Sequence, residues 1–181
     1  MATELTPAMK ALTCRPYQPE DWPTFYTLAE TTFRETFEAK NDPVQFERYM
    51  AAHFTPAAWQ AHFEDPGYHV CLCETADSLA GYFTLNTAPP AYPEITGAQP
   101  VEIVRFYLDS AFHGSGLAGE MMAHALEQAR RLSADTVWLG VWEHNPRASR
   151  FYEKHGFTRV GRHDYWMGDD CQNDELMLRG L

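Results

Sequence analysis

The chain has 181 residues, 45% of them hydrophobic and 14% aromatic, enough for one domain with a sizeable core and too apolar for a disordered chain. Its 14 basic and 25 acidic residues leave a formal net charge of −11, which excludes a global basic footprint for nucleic acid or an anionic membrane. No run of about 18 apolar residues is present to span a bilayer, and the start, MATELTPAMKALTCR, lacks an apolar signal core, so the expected address is the cytoplasm.

The domain is expected over residues 11–181, with residues 1–10 as an N-terminal extension. Leu12–Arg15 is a short strand candidate. Asp21 is placed to cap a helix through Thr24–Phe33, where Phe25, Leu28, Ala29, Thr32 and Phe33 keep helical spacing. Two short helices follow around Val44–Met50 and Pro56–Phe63, the second announced by an N-cap threonine and a first-turn proline, Thr55-Pro56. Tyr68–Glu74 and Leu79–Thr87 read as strands joined by a turn through Ala76-Asp77-Ser78. The segment Ala88–Pro100 carries prolines at 89, 90, 93 and 100, so it is an excursion loop between strands. Val101–Leu108 is a strand and Phe112–Gly119 a glycine-rich turn. A helix follows, with Leu117, Met121, Met122, Ala125, Leu126, Ala129 and Leu132 on one face. Val137–Trp142 is nearly all apolar, as a strand buried on both faces should be. Asn145-Pro146 opens a last helix that stops at the C-cap glycine Gly156. Strands around Phe157–Gly161 and Asp174–Arg179 complete an α/β sandwich.

Cys14, Cys71, Cys73 and Cys171 contain no CxxC pair, so reduced, structural thiols are expected. The eight histidines are scattered, with no HExxH and no Cys/His cluster, so no metal is expected.

A strand that runs into closely spaced glycines and then a helix leaves several backbone N–H groups pointing outward at the positive end of the helix dipole. That is an anion site suited to phosphates. No Gly-Lys-Ser/Thr follows, which excludes a P-loop. Gly114-Ser-Gly116-Leu-Ala-Gly119 also fits the dinucleotide fingerprint GxGxxG, with Glu143 near the end of the next strand as the ribose-binding acid. Against that reading, only 38 residues follow Glu143, too few for the rest of a dinucleotide-binding sheet. The preceding strand also carries Glu102 and Arg105, where a central parallel strand should be apolar.

HGSGLA (His113–Ala118) resembles the Q/R-x-x-G-x-G/A motif of the GNAT superfamily of acetyl-CoA-dependent N-acetyltransferases, with His113 where that superfamily usually has Gln or Arg. NPRASRFYEKHGF (Asn145–Phe157) is similar to its second signature, in the right order and separated by one helix and one strand. WLGVWEHN (Trp138–Asn145), HDYWMGDD (His163–Asp170) and FRETFEAKN (Phe33–Asn41) further resemble the PaiA-type bacterial polyamine acetyltransferases. The likeness implies a GNAT fold, a mixed and mostly antiparallel sheet flanked by helices in one domain. It also implies direct acetyl transfer from acetyl-CoA to a primary amine through a tetrahedral intermediate, and a homodimer as in the family.

Residue by residue, the resemblance implies that Phe106, Tyr107 and Leu108 pair with the pantetheine arm. His113, Gly114, Ser115, Gly116, Leu117, Ala118 and Gly119 would cradle the pyrophosphate. Asn145 and Ser149 would bind the pantetheine, although an N-cap role alone also accounts for Asn145. Tyr152 would give a proton or hydrogen bond to the leaving thiolate, a role suited to a phenol that is protonated at neutral pH; packing in the Phe151-Tyr152 pair is the competing role. The ammonium of the acceptor must lose a proton, and Glu102 is the candidate base, a solvated strand face being its competing role and Glu35 and Asp169 the alternatives. Glu35, Tyr165, Trp166 and Asp169 are candidate acceptor contacts, the aromatics through cation–π attraction.

Residues 1–100 carry a net charge of −8, residues 101–162 +1 and residues 163–181 −4. Acid thus gathers outside the phosphate-binding half. This favours a cationic acceptor such as spermidine or spermine, while solubility accounts for the same pattern. A peptide or protein N-terminus is the second acceptor reading, and a non-catalytic acyl-CoA sensor the reading from another class.

Overall fold

A computed structural model describes residues 11–181, so the N-terminal extension lies outside the described residues. Seven strands form one sheet: β1 (Thr13–Pro16), β2 (Tyr68–Glu74), β3 (Leu79–Asn86), β4 (Pro100–Leu108), β5 (Thr136–Trp142), β6 (Thr158–Met167) and β7 (Asp170–Gly180). They lie in the order β1-β2-β3-β4-β5-β7-β6. Every neighbouring pair is antiparallel except β4 and β5 at the centre.

Among the described residues five α-helices cover the sheet: α1 (Trp22–Phe37), α2 (Pro43–His53), α3 (Pro56–Glu64), α4 (Leu117–Arg131) and α5 (Pro146–Lys154). On one face α4 buries Met121, Met122, Ala125 and Ala129 against Phe83, Ile103, Val137 and Leu139. On the other, α1 to α3 pack an aromatic core of Phe25, Phe33, Phe46, Trp59 and Tyr82. The strands between are apolar on both sides: Leu72 faces the aromatic core and Cys71 and Cys73 the opposite one, as period-2 alternation requires.

Two starts form as the sequence dictates. Thr55 caps α3 by accepting the Ala58 N–H at 3.1 Å, and Asn145 caps α5 by accepting the Ala148 N–H at 3.2 Å. Three expectations are corrected. Asp21 makes no side-chain cap on α1; its carboxylate takes the Arg15 guanidinium at 2.7 Å and the Gln18 N–H at 2.8 Å. Cys14 and Cys73 form a disulfide, because β1 and β2 align them as direct cross-strand partners with Cα atoms 4.2 Å apart. The last two strands are longer than their apolar runs and join into a hairpin at Gly168-Asp169, with Gly168 at φ 63°. Its polar residues alternate outward along the sheet edge, which hid the strands in the sequence.

Candidate active site

The parallel pair at the centre is brief. β4 and β5 align only from Pro100 to Glu102 against Thr136 to Trp138, after which the strands diverge. Along the remainder of β4, one backbone edge bonds to β3; no strand pairs with the other, where the His113 ring meets the Leu108 carbonyl at 3.1 Å. A bulge contributes to this divergence: β3 pairs Thr84 with Arg105 and Leu85 with Ile103, leaving Val104 as the extra residue. The bulge also shifts the side-chain phase, so Ile103, Phe106 and Leu108 join the α4 core while Tyr107 joins the aromatic core.

The divergence opens a cavity of about 990 Å³. Its walls are β4 from Ile103 to Leu108, Gly140 to Trp142 of β5, the α1 residues Phe33, Glu35 and Phe37, and the start of α5. The β6–β7 hairpin adds Tyr165, Gln172 and Asp174. At one end lies the glycine turn. Gly114 and Gly116 hold φ values of 82° and 91°, conformations that glycine adopts without strain. A Cβ built on either would meet nothing within 4 Å. The α4 helix begins at Leu117 with Gly116 as its N-cap, so the positive end of its dipole lies at this opening; the Leu117 N–H donates to the Ser115 hydroxyl and the Gly119 N–H to the Gly116 carbonyl, with Ala118 between them on the cavity wall. Arg147 and Arg150 of α5 line the same cavity, a pair of cations suited to phosphate that the sequence reading did not single out.

Of the residues expected at the cofactor, Phe106, Tyr107, Leu108, His113, Gly114, Gly116, Ala118, Asn145 and Tyr152 line the cavity, and Ser115, Leu117, Gly119 and Ser149 do not. Ser149 is 3% exposed and donates its hydroxyl to the Asn145 carbonyl at 3.3 Å. Tyr152 packs between Phe106, Phe151 and Phe157. Burial pushes its phenol well above the usual range, so it is protonated at neutral pH.

Of the residues expected at the acceptor, Glu35 and Tyr165 line the cavity. Glu35 accepts the Ser110 hydroxyl at 3.2 Å, and Tyr165 donates its hydroxyl to that of Tyr49. Trp166 is 57% exposed on the other side of β6, and Asp169 pairs with Arg48 at the hairpin tip; neither lines the cavity. Glu102 stands at the last paired position of β4, opposite Trp138, where the strands part. Burial alone pushes its carboxyl up to about 7.

The structure adds two residues to this chamber. Asp174 is half-enclosed above Gly140, its Oδ1 buried without a hydrogen-bond partner. Burial pushes it up to about 6 against the pull of His163 at 4.0 Å. Arg105 lines the cavity from β4. One acid in an acidic tail gives no signal, but a lone arginine within VEIVRFYL interrupts an apolar strand and is visible in the sequence.

An unpaired strand edge ending at a glycine-lined helix start, with a phenol in the wall of the same cavity, is a shape suited to an extended, phosphate-bearing ligand. Residues 22–157 match the acetyltransferase (GNAT) family. An uncharacterized N-acetyltransferase in the pepI 3′ region of Lactobacillus delbrueckii subsp. lactis is 32% identical over 162 residues, which is 90% of this chain and 93% of that protein. The chain therefore belongs to the GNAT family and is an acetyl-CoA-dependent N-acetyltransferase. Spermine/spermidine N(1)-acetyltransferase of Bacillus subtilis is 29% identical over 77 residues, 42% of this chain and 51% of that protein. PaiA N-acetyltransferase from Thermoplasma acidophilum, solved in complex with coenzyme A, shares the fold with a TM-score of 0.72 at 15% identity, covering 94% of this chain and 99% of that one.

Proposed function

We propose that this protein acetylates a primary amine on a small molecule held in the chamber between α1, β4 and the β6–β7 hairpin. The observation that carries the reading is the divergence of β4 from β5 into a cavity that ends at the glycine turn. When bound, acetyl-CoA supplies an activated thioester. The unpaired edge of β4 from Ile103 to Tyr107 is suited to pair with its extended, amide-bearing arm as an added strand would, and the arm would share or displace the His113 contact at the Leu108 carbonyl. The N–H groups around Gly114, Gly116 and Ala118 fit its pyrophosphate, and Arg147 and Arg150 its remaining phosphate. The side chain of Asn145 already serves α5 as a cap, which leaves its amide N–H groups for the arm.

Two proton transfers fall to the chain. Tyr152, held protonated by burial, gives a hydrogen bond or proton at the departing sulfur. Glu102, held up to about 7, is matched to accept a proton from an ammonium near neutral pH, through water because its side chain does not line the cavity. Asp174 is the alternative base, closer to the chamber and with an unpartnered oxygen.

Two acceptor classes have separate support. A polyamine such as spermidine or spermine is supported by Glu35 and Asp174 on the walls, by the rings of Tyr49, Tyr165 and Trp142, and by the partial similarity to a spermine/spermidine acetyltransferase. An acceptor bearing an anionic group is supported by Arg105, a fixed positive charge on the same wall. The test is thiol release from acetyl-CoA across polyamines, simple diamines, amino acids and short peptides. Acceptor-dependent release supports the reading. Thermal stabilisation by acetyl-CoA with no release for any amine contradicts it and favours a sensor.

A further inference from the structure

Arg105 is far more enclosed than Arg15 or Arg34 and has no acidic partner among the described residues. Its guanidinium carbon lies 5.0 Å from the ring centre of Phe54, 5.1 Å from that of Trp59 and 5.9 Å from that of Phe33. Tyr49, Tyr68, Tyr82 and Tyr107 complete the surround, the neutral hydroxyls of Tyr68 and Tyr82 in reach of the guanidinium, while Nε is buried without a hydrogen-bond partner. Among the described residues no carboxylate lies within ion-pairing reach of it, whereas the more exposed Arg15, Arg34, Arg48 and Arg159 each hold at least one.

A guanidinium does not shed its proton in a protein. Enclosing one without a counter-charge is costly, and ring faces offset only part of that cost. The acids on the same face do not supply the counter-charge. Glu102 is raised by burial, with no cation among the causes that act on it, and Asp174 lies beside His163. Glu35 on the cavity wall accepts the Ser110 hydroxyl instead. Phe33, Tyr49 and Tyr107 flank the guanidinium and also line the cavity with Arg105, so an unbalanced charge borders the chamber.

We propose that Arg105 receives a carboxylate of the acceptor, so that the amine acetylated by this protein belongs to an amino acid or similar small amino-carboxylate. A carboxylate matches the planar fork of the guanidinium and supplies the missing negative charge. The same charge disfavours a polycation in the chamber. The proposal rests on the acetyltransferase reading and selects between its two acceptor classes.

The test uses acceptor pairs that differ only by a carboxylate: leucine and isopentylamine, phenylalanine and phenethylamine, lysine and 1,5-diaminopentane. For the wild type, kcat/KM is expected to favour the best carboxylate member by roughly tenfold to a hundredfold, the range of a charged hydrogen bond. Arg105→Met is expected to abolish that preference through KM, and Arg105→Lys, which retains charge and lacks the fork, to keep part of it. Decarboxylated amines turning over as well as their partners in the wild type overturn the proposal. So does an Arg105→Met variant that lowers both members of a pair alike. Binding of N-acetyl amino acids and their amides in the presence of coenzyme A separates the two levels of the argument. Carboxylate-selective binding that Arg105→Met loses upholds the anchor even if no acceptor turns over, and absence of selective binding refutes it. Acetylation of diamines alone leaves the acetyltransferase reading standing and removes the anchor.

Discussion

Glu102→Gln is expected to raise stability and, with Glu102 as the proposed base, to lower activity. In the folded protein burial raises this carboxyl from an ordinary 4.5 to about 7, so ionising it opposes folding. The sign follows directly. Below about pH 4.5 Glu102 is protonated in both folded and unfolded chains and costs nothing. As pH rises through 7 the unfolded chain holds a carboxylate that the folded chain resists, and stability falls. A shift of this size corresponds to about 3 kcal/mol once pH exceeds the folded value. Glutamine keeps the shape and cannot ionise. Glu102→Gln is therefore expected to be about as stable as wild type near pH 4.5 and more stable by up to about 3 kcal/mol at pH 8.5, measured by denaturant unfolding at each pH. If Glu102 is the base, kcat/KM of the wild type rises through pH 7 and that limb disappears in the variant. A stability gain equal at both pH values, or a loss at pH 8.5, would refute the argument that burial sets this group.

Tyr152→Phe removes only the hydroxyl from a ring packed by Phe106, Phe151 and Phe157; kcat should fall about a hundredfold or more, with acetyl-CoA affinity within about twofold by calorimetry. Gly116→Ala meets no steric obstacle but forces an alanine to φ 91°, a strain of about 1–2 kcal/mol; the rise in melting temperature produced by acetyl-CoA should shrink, and an unchanged rise would dissociate the turn from cofactor binding. Thiol titration of oxidised, denatured protein should find the two free cysteines Cys71 and Cys171; four titrating thiols would disprove the Cys14–Cys73 bond.

Much of the fold was legible because local chemistry and tertiary context agree. Tyr68–Glu74 is bounded by turn residues and buried on both faces, and its ends match the pattern. Thr55-Pro56 and Asn145-Pro146 start the helices that they announce. The glycine turn was visible because only glycine holds its two positive φ angles without strain. The divergence of β4 from β5 is a relation between strands distant in sequence, and neither strand encodes it alone. The bulge at Val104 is equally silent, yet it sends Arg105 and Tyr107 to the aromatic core and Phe106 to the α4 core. The Cys14–Cys73 bond depends on the β1–β2 register, which spacing does not reveal. Trp166 and Asp169 fell away from the chamber because the hairpin places Tyr165 inward and its neighbour outward, while Asp174, across the sheet from Trp142, points inward unannounced.

The central claim is tested most directly by incubating the purified protein with acetyl-CoA and a mixed panel of amines and weighing the products by mass spectrometry, with Tyr152→Phe in parallel. The account predicts at least one amine gaining the mass of a single acetyl group at a rate that the variant loses. An unmodified panel, or acetylation that proceeds equally in the variant, would contradict it.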